Sequence, residues 1–248
     1  MTRWKCVCAY DGGAFSGWQS QAGGGSVQDA IESRLAAIFQ RPVRIHGSGR
    51  TDAGVHALGQ VFHFDADWSH GPSKLAAAIA HRLSRKIQVA SVRQVPKGFH
   101  ARFSAKQKRY EYRLRLGDAD PFVRPLVWCV PPDVDVGAMR KAAATLVGRH
   151  DFRAFSAAHG AEKDDPAGTV RSLRRLEVRS RGRAVHIFAE ADGFLYKMVR
   201  SLVGGLVSVG TGRLLASDLK DCIRSGTRSP HILTAPPHGL FLTKVWYR

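Results

Sequence analysis

The run Lys106-Gln107-Lys108-Arg109-Tyr110-Glu111-Tyr112-Arg113-Leu114-Arg115-Leu116 puts Tyr110, Tyr112, Leu114 and Leu116 on one face and Arg109, Glu111, Arg113 and Arg115 on the other. Alternation with period two is the pattern of a half-buried strand with a charged outer face. The apolar face of such a strand needs a covering layer. Helical spacing supplies one. Ser26 can cap a helix, with Asp29 three residues on in near-capping-box position, and Val27, Ile31, Leu35 and Ile38 then keep one face through Phe39. Ser73 begins a second helix with Leu75, Ile79 and Leu83 on one side. Strand-like segments flank them at residues 4–10, 43–45, 61–66 and 89–95. The order strand, helix, strand or strands, helix, strand predicts an α+β sandwich of ferredoxin type.

The second half repeats the theme. Residues 136–147 read as a helix with Met139, Ala143 and Leu146 inward, closed by Gly148. Strands are expected at 169–179 and 184–191. Gly193 to Arg200 is expected to open a long helix with Leu195, Met198, Leu202 and Leu206 inward. Ser217 is positioned to cap a last helix through Ile223, and a final strand follows. Residues 157–168, rich in glycine, alanine and charge and holding Pro166, read as a mobile loop. The order of strands and helices, together with the family resemblance set out below, implies a split near residue 105 into halves 1–105 and 106–248.

With 248 residues, 44% of them hydrophobic, the chain can bury a sizeable core. Its 38 Lys+Arg against 20 Asp+Glu leave a formal net charge of +18, which favours an anionic partner. Nucleic acid suits better than membrane, because no segment reaches the ~18 apolar residues of a spanning helix. The start, MTRWKC, does not lead into the apolar core of a signal peptide, so a cytoplasmic protein is expected. Cys6, Cys8, Cys129 and Cys222 show no zinc-site spacing and read as reduced, buried thiols.

One stretch carries more chemistry than the rest. Gly47-Ser48-Gly49-Arg50-Thr51-Asp52-Ala53-Gly54-Val55-His56-Ala57-Leu58-Gly59-Gln60 holds four glycines in fourteen residues, one acid (Asp52), one fixed cation (Arg50) and, between them, the hydroxyl of Thr51. A glycine-rich loop can turn tightly and approach a ligand closely, and loops on rigid scaffolds carry sites. On local chemistry alone, Thr51 and Asp52 could equally be turn or cap residues and Arg50 surface charge. Phe15 and Trp18, in the glycine-rich turn after the first strand, are either core anchors or packing beside that loop.

This stretch resembles the signature of the TruA-type tRNA pseudouridine synthases, GAGRTDAGVHA, with Ser48 where alanine is commoner. Further matches run from about residue 6 to 247: Y-D-G-G-A-F-S-G-W-Q-S-Q from Tyr10, F-H-A-R-F-S-A from Phe99, R-Y-E-Y from Arg109, H-D-F-R-A-F from His150, G-F-L-Y-K-M-V-R from Gly193, and T-A-P-P-H-G-L-F-L from Thr234. His231-Ile232 departs from the commoner Ala-Gly before the last. The resemblance implies two ferredoxin-like, RRM-like halves joined into a continuous mixed sheet, with helices packed on it and a basic cleft between the halves. It implies isomerisation of uridine to pseudouridine in the anticodon stem-loop of tRNA, at positions 38, 39 and/or 40, by a homodimer without cofactor or metal. Residue by residue, the nucleophile or base maps onto Asp52, the base-contacting tyrosine onto Tyr110 and the aspartate's partner onto Arg200, while Arg50 is a candidate phosphate contact. Two other readings compete: a non-catalytic RNA-binding protein or RNA chaperone, which has no use for Asp52, and an Asp-based hydrolase, which lacks a second positioned carboxylate.

Overall fold

The first strand, β1 (Thr2–Tyr10), alternates between a buried row of Trp4, Cys6, Cys8 and Tyr10 and a more open row. It is flanked by antiparallel partners on both edges, so its inner row is committed to a core. The computed structural model describes residues 1–157 and 168–247. The expected loop 157–168 therefore lies almost wholly outside the described residues. Five α-helices and ten strands are present among the described residues, and most strand pairs are antiparallel, with β3–β10 and β5–β6 parallel, an α+β architecture.

The chain divides into two compact units, Met1–Lys106 with Phe241–Arg248, and Gln107–Leu240. In the first, α1 (Val27–Phe39), β2 (His46–Gly47), β3 (His56–Ala66), α2 (Gly71–Ala80) and β4 (Ile87–Val95) follow β1. β1 lies between β3 and β4, with Cys6 opposite both Phe62 and Val92. β2 takes the other edge of β3, His46 facing His63. The order β4-β1-β3-β2 is that of a ferredoxin-like sheet. The strand β10 (Leu240–Trp246) runs parallel to β3, Phe241 opposite His56. It thus groups with the first unit, although in chain order it ends the second half.

The helices cover this sheet through the faces that their spacing predicts. α1 buries Val27, Ile31 and Leu35, and α2 buries Leu75 and Ile79. Ser26 and Asp29 form a reciprocal capping box: Asp29 N–H donates to Ser26 Oγ at 3.0 Å, and Ser26 N–H donates to the Asp29 carboxylate at 3.1 Å. Two readings are corrected. Residues 43–45 are not a strand, because the Glu32 carboxylate accepts Ile45 N–H at 2.9 Å and Gln28 Nε2 donates to Ile45 O, so this backbone is bound by α1 side chains. α2 stops at Ala80, and Arg82 at φ 59 turns the chain before Leu83, which is half-buried rather than on the helix face.

The second unit holds β5 (Gln107–Leu116), β6 (Trp128–Val130), α3 (Val136–Thr145), β7 (Gly148–Asp151), β8 (Val170–Arg181), β9 (Ala184–Ala191), α4 (Met198–Gly210) and α5 (Ala216–Ser225). Its strands run β5-β9-β8-β7, with β6 parallel on β5. Tyr110, Tyr112 and Leu114 are buried, as the alternation requires. α3 buries Met139, Ala142 and Ala143. Gly148 does not close that helix; it opens β7 at φ 137. α4 begins only at Met198, not Gly193. The Asp192 carboxylate accepts the N–H groups of Ser172 and Gly193, at 3.0 and 2.8 Å, and Lys197 adopts φ 57, so the chain bends before the helix starts. α4 is buried on nearly every side, and Gly204 permits this: a Cβ there would lie 1.8 Å from Leu233 O. The N-cap of α5 is Leu215 rather than Ser217, its N–H donating to the Asp218 carboxylate at 2.8 Å. Cys6, Cys8 and Cys222 are buried and Cys129 is half-buried; all four are free thiols.

Candidate active site

The loop between β2 and β3 is clamped by the turn that follows β1. A Cβ on Gly12 would lie 2.0 Å from Val55 O, and one on Gly17 would lie 2.9 Å from Thr51 O. Gly17 also sits at φ +91, where an L side chain is strained. Trp18 N–H donates to Thr51 O at 3.0 Å, and the Trp18 indole lies so close to Gly47 that a Cβ there would fall 2.4 Å from Nε1. Trp18 is therefore both core anchor and loop wall, packed between Tyr10 and Phe62 with ring centroids at 5.9 and 6.2 Å. Phe15 is only half-buried. On the far side, His56 accepts Gly12 N–H on Nδ1 at 3.1 Å and stacks on Phe241 at 4.7 Å.

Polar groups complete the clamp. Tyr10 Oη and Thr51 Oγ1 are 2.8 Å apart. Gln60 Nε2 donates to Gly49 O at 2.9 Å, and Ser48 Oγ donates to Gln60 Oε1 at 2.7 Å. Asp52 opens a tight turn in which its carbonyl accepts Val55 N–H at 3.1 Å, with Gly54 at φ 79. Its side chain is half-buried, whereas Thr51 beside it is 6% exposed and Arg50 is exposed. The arrangement presents one carboxylate on an immobilised backbone at the surface of the first unit.

Tyr110 and Arg200 belong to the second unit. Tyr110 is buried near the start of β5 and meets Phe194 edge-on at 5.2 Å. Arg200 is half-buried on α4; its Nε donates to Ala235 O at 2.7 Å, and Ala235 N–H donates back to Arg200 O at 3.1 Å. Tyr112 ties the same segment down, Oη donating to Pro236 O at 2.7 Å, and burial pushes its phenol pKa up. Gly239 leaves room for that ring, 2.8 Å from where a Cβ would be.

The alternation on β5 does not build one mixed basic and aromatic surface. The tyrosines face inward, and two of the arginines on the other face, Arg109 and Arg113, are engaged by acids. Arg109 donates through Nε to Glu190 at 2.8 Å and pairs through Nη2 at 2.7 Å. Arg113 and His186 both bind Glu111, at 2.9 and 2.8 Å. Burial pushes Glu111 up, but these two partners outweigh it and hold the carboxyl below its usual range. Sequence reasoning passed over Tyr10, Gln60 and His56 as site-shaping groups. The signal available was polar residues at inward-facing positions of strands, which require buried partners.

Among the described residues no cluster of histidine, cysteine or acid could hold a metal ion, and no helix is long and apolar enough to cross a membrane. The sequence pattern of one family, described as tRNA pseudouridine synthase, matches residues 7–104 and 142–248. The chain belongs to this family. Its members isomerise uridine to pseudouridine in tRNA. Among relatives named tRNA pseudouridine synthase A, that of Akkermansia muciniphila is 42% identical over 255 residues, covering 100% of this chain and 96% of its own. That of Afipia carboxidovorans is 41% identical over 249 residues, covering 100% of both chains. That of Anoxybacillus flavithermus is 41% identical over 248 residues, covering 100% of this chain and 99% of its own. The 47–60 loop falls inside the matched region of the family.

Proposed function

We propose that this tRNA pseudouridine synthase acts on uridines of the anticodon stem-loop, at positions 38, 39 and/or 40, with Asp52 as nucleophile or base. The observation that carries the reading is the state of Asp52. It is the only acid between Gly47 and Gln60, half-buried, on a loop fixed from several sides. An RNA-binding protein without chemistry has no use for a carboxylate held this way.

The reaction breaks the N1–C1′ bond, turns the uracil and forms the C5–C1′ bond. N1 gains a proton and C5 loses one to solvent, so atoms and electrons balance with no oxidant, reductant or imported group. No cofactor is therefore required. Two routes fit one carboxylate: an Asp52 oxygen adds to C1′ and is displaced when C5 attacks, or it removes the C2′ proton to form a glycal and returns it. Arg200 is assigned as the partner that aims Asp52, Tyr110 as the ring against the target base, and Arg50 as a phosphate contact. Leaving the helical stack costs the target base a few kcal/mol, and stacking on a tyrosine returns about 1–3 kcal/mol. The proposed setting is a homodimer in the cytoplasm, where tRNA is found.

The experiment is direct. Purified protein is incubated with unmodified tRNA carrying tritium at uracil C5, without metal or nucleotide, and the product is mapped for pseudouridine. The expected result is tritium release with product confined to the anticodon arm. Product elsewhere in the tRNA, or dependence on an added cofactor, contradicts the proposal.

A further inference from the structure

We propose that Tyr10 and Gln60 are positioning residues of the reaction, holding Thr51 and Gly49 so that the Asp52 carboxylate stays aimed. This rests on the reading of Asp52 as the reacting group. Tyr10 ends β1, Gln60 lies on β3, and their side chains reach the loop that bears Asp52 at Thr51 and Gly49. Tyr10 is 5% exposed, Thr51 6%, and Gln60 and Ser48 are 0% exposed. Polar groups this deep need every partner they have.

The hydrogen-bond directions are set by groups with only one role. Val61 N–H can only donate, and it meets Gln60 Oε1 at 3.1 Å. Gly49 O can only accept, and it meets Gln60 Nε2 at 2.9 Å. The amide orientation of Gln60 follows. Its second N–H points to Tyr10 Oη at 3.4 Å, which leaves the phenol proton for Thr51 Oγ1 at 2.8 Å. Ser48 is fastened on both sides, by N–H to Val61 O at 2.7 Å and by Oγ to Gln60 Oε1 at 2.7 Å. Residues 48, 49 and 51 are thus tied to the sheet through Tyr10, Gln60 and the backbone of Val61. This relay fixes the backbone from which the carboxylate projects, and a misplacement of about 1 Å at a reacting group can cost about 100-fold in rate.

Such a role separates turnover from binding. Phosphate contacts dominate affinity for a nucleic acid, so loosening the relay leaves tRNA binding nearly intact. Tyr10→Phe and Thr51→Val each keep shape and remove one partner. Each is expected to lower kcat by about 10- to 100-fold with KM for tRNA within about twofold. The double variant is expected to be no slower than the worse single, because both break the same contact. Thr51→Ser restores the hydroxyl and is expected to recover most of kcat. Gln60→Glu sets a carboxylate oxygen against Gly49 O and is expected to lower kcat like Tyr10→Phe. Rates are read well below the unfolding midpoint of each variant, and either Tyr10→Phe or Thr51→Val alone suffices if the other does not fold. Wild-type kcat in Tyr10→Phe or Thr51→Val, with Asp52→Asn inactive, overturns the positioning role and leaves Asp52 in place. Additive losses in the double variant, or a failure of Thr51→Ser to recover activity that Thr51→Val lost, also overturn it. Turnover by Asp52→Asn removes the underlying reading itself and is seen in a different variant.

Discussion

Gly12 sets how closely the first turn can press on the Asp52 loop. A methyl group there would sit 2.0 Å from Val55 O, a backbone atom that cannot rotate away. Gly12→Ala should therefore destabilise the protein by about 1–3 kcal/mol, the usual cost of forcing an extra carbon into a packed site. Gly23, where a methyl group would meet nothing within 4 Å, is the matched control, and Gly23→Ala should change stability by less than about 0.5 kcal/mol. Urea unfolding monitored by tryptophan fluorescence checks both, and an unshifted midpoint for Gly12→Ala would show that the turn and the loop are not locked together. At this scale the sequence was partly legible. The glycines and Asp52 stood out because glycine spacing and a lone acid are visible in one dimension. Tyr10, Gln60 and Glu190 did not, because a buried polar side chain looks like any other polar residue until its partners, dozens of positions away, are brought to it.

Among the elements, β3 carries His63, whose titration opposes folding in acid. His63 is buried, its Nδ1 accepts Ala101 N–H at 3.2 Å, and its ring lies 5.1 Å from His46 and 4.7 Å from His100. Burial lowers its pKa to about 4; His100, His46 and Arg3 push the same way, and Asp65 opposes them. In the unfolded chain a histidine titrates near ~6.5. Between about pH 6.5 and 4 the unfolded state binds a proton that the folded state refuses, so stability falls as the solution is acidified, by up to about 3 kcal/mol from this residue. Below about pH 4 the folded state is protonated too, and the loss from His63 stops growing. Urea unfolding across that range should give a steeper pH dependence for wild type than for His63→Gln; parallel curves would contradict this. Elements with a clean period, such as α1 with its capping box and β5 with its alternation, were legible in the sequence. The start of α4 was not, because the run from Phe194 to Val199 holds no glycine or proline to mark a break. The bend there comes from the Asp192 side chain and from Lys197 in a left-handed conformation.

For the whole molecule the governing quantity is charge. The formal net charge is +18, yet Arg109, Arg113 and Arg175 are paired with Glu190, Glu111 and Glu177. Part of the basic content therefore serves the fold rather than the substrate. The net excess of +18, which pairing leaves unchanged, should make tRNA binding fall linearly in log affinity against log salt, losing several-fold or more between low and moderate salt. A flat response would mean that phosphate contacts do not drive binding. The measurement that bears most directly on the catalytic assignment is tritium release from uracil C5 of tRNA by Asp52→Asn. That variant keeps the shape of the side chain and removes the charge that addition to C1′ or removal of the C2′ proton requires. It is expected to bind tRNA with near wild-type affinity and to release essentially no tritium. Wild-type release by folded Asp52→Asn would show that the reaction does not run through this carboxylate.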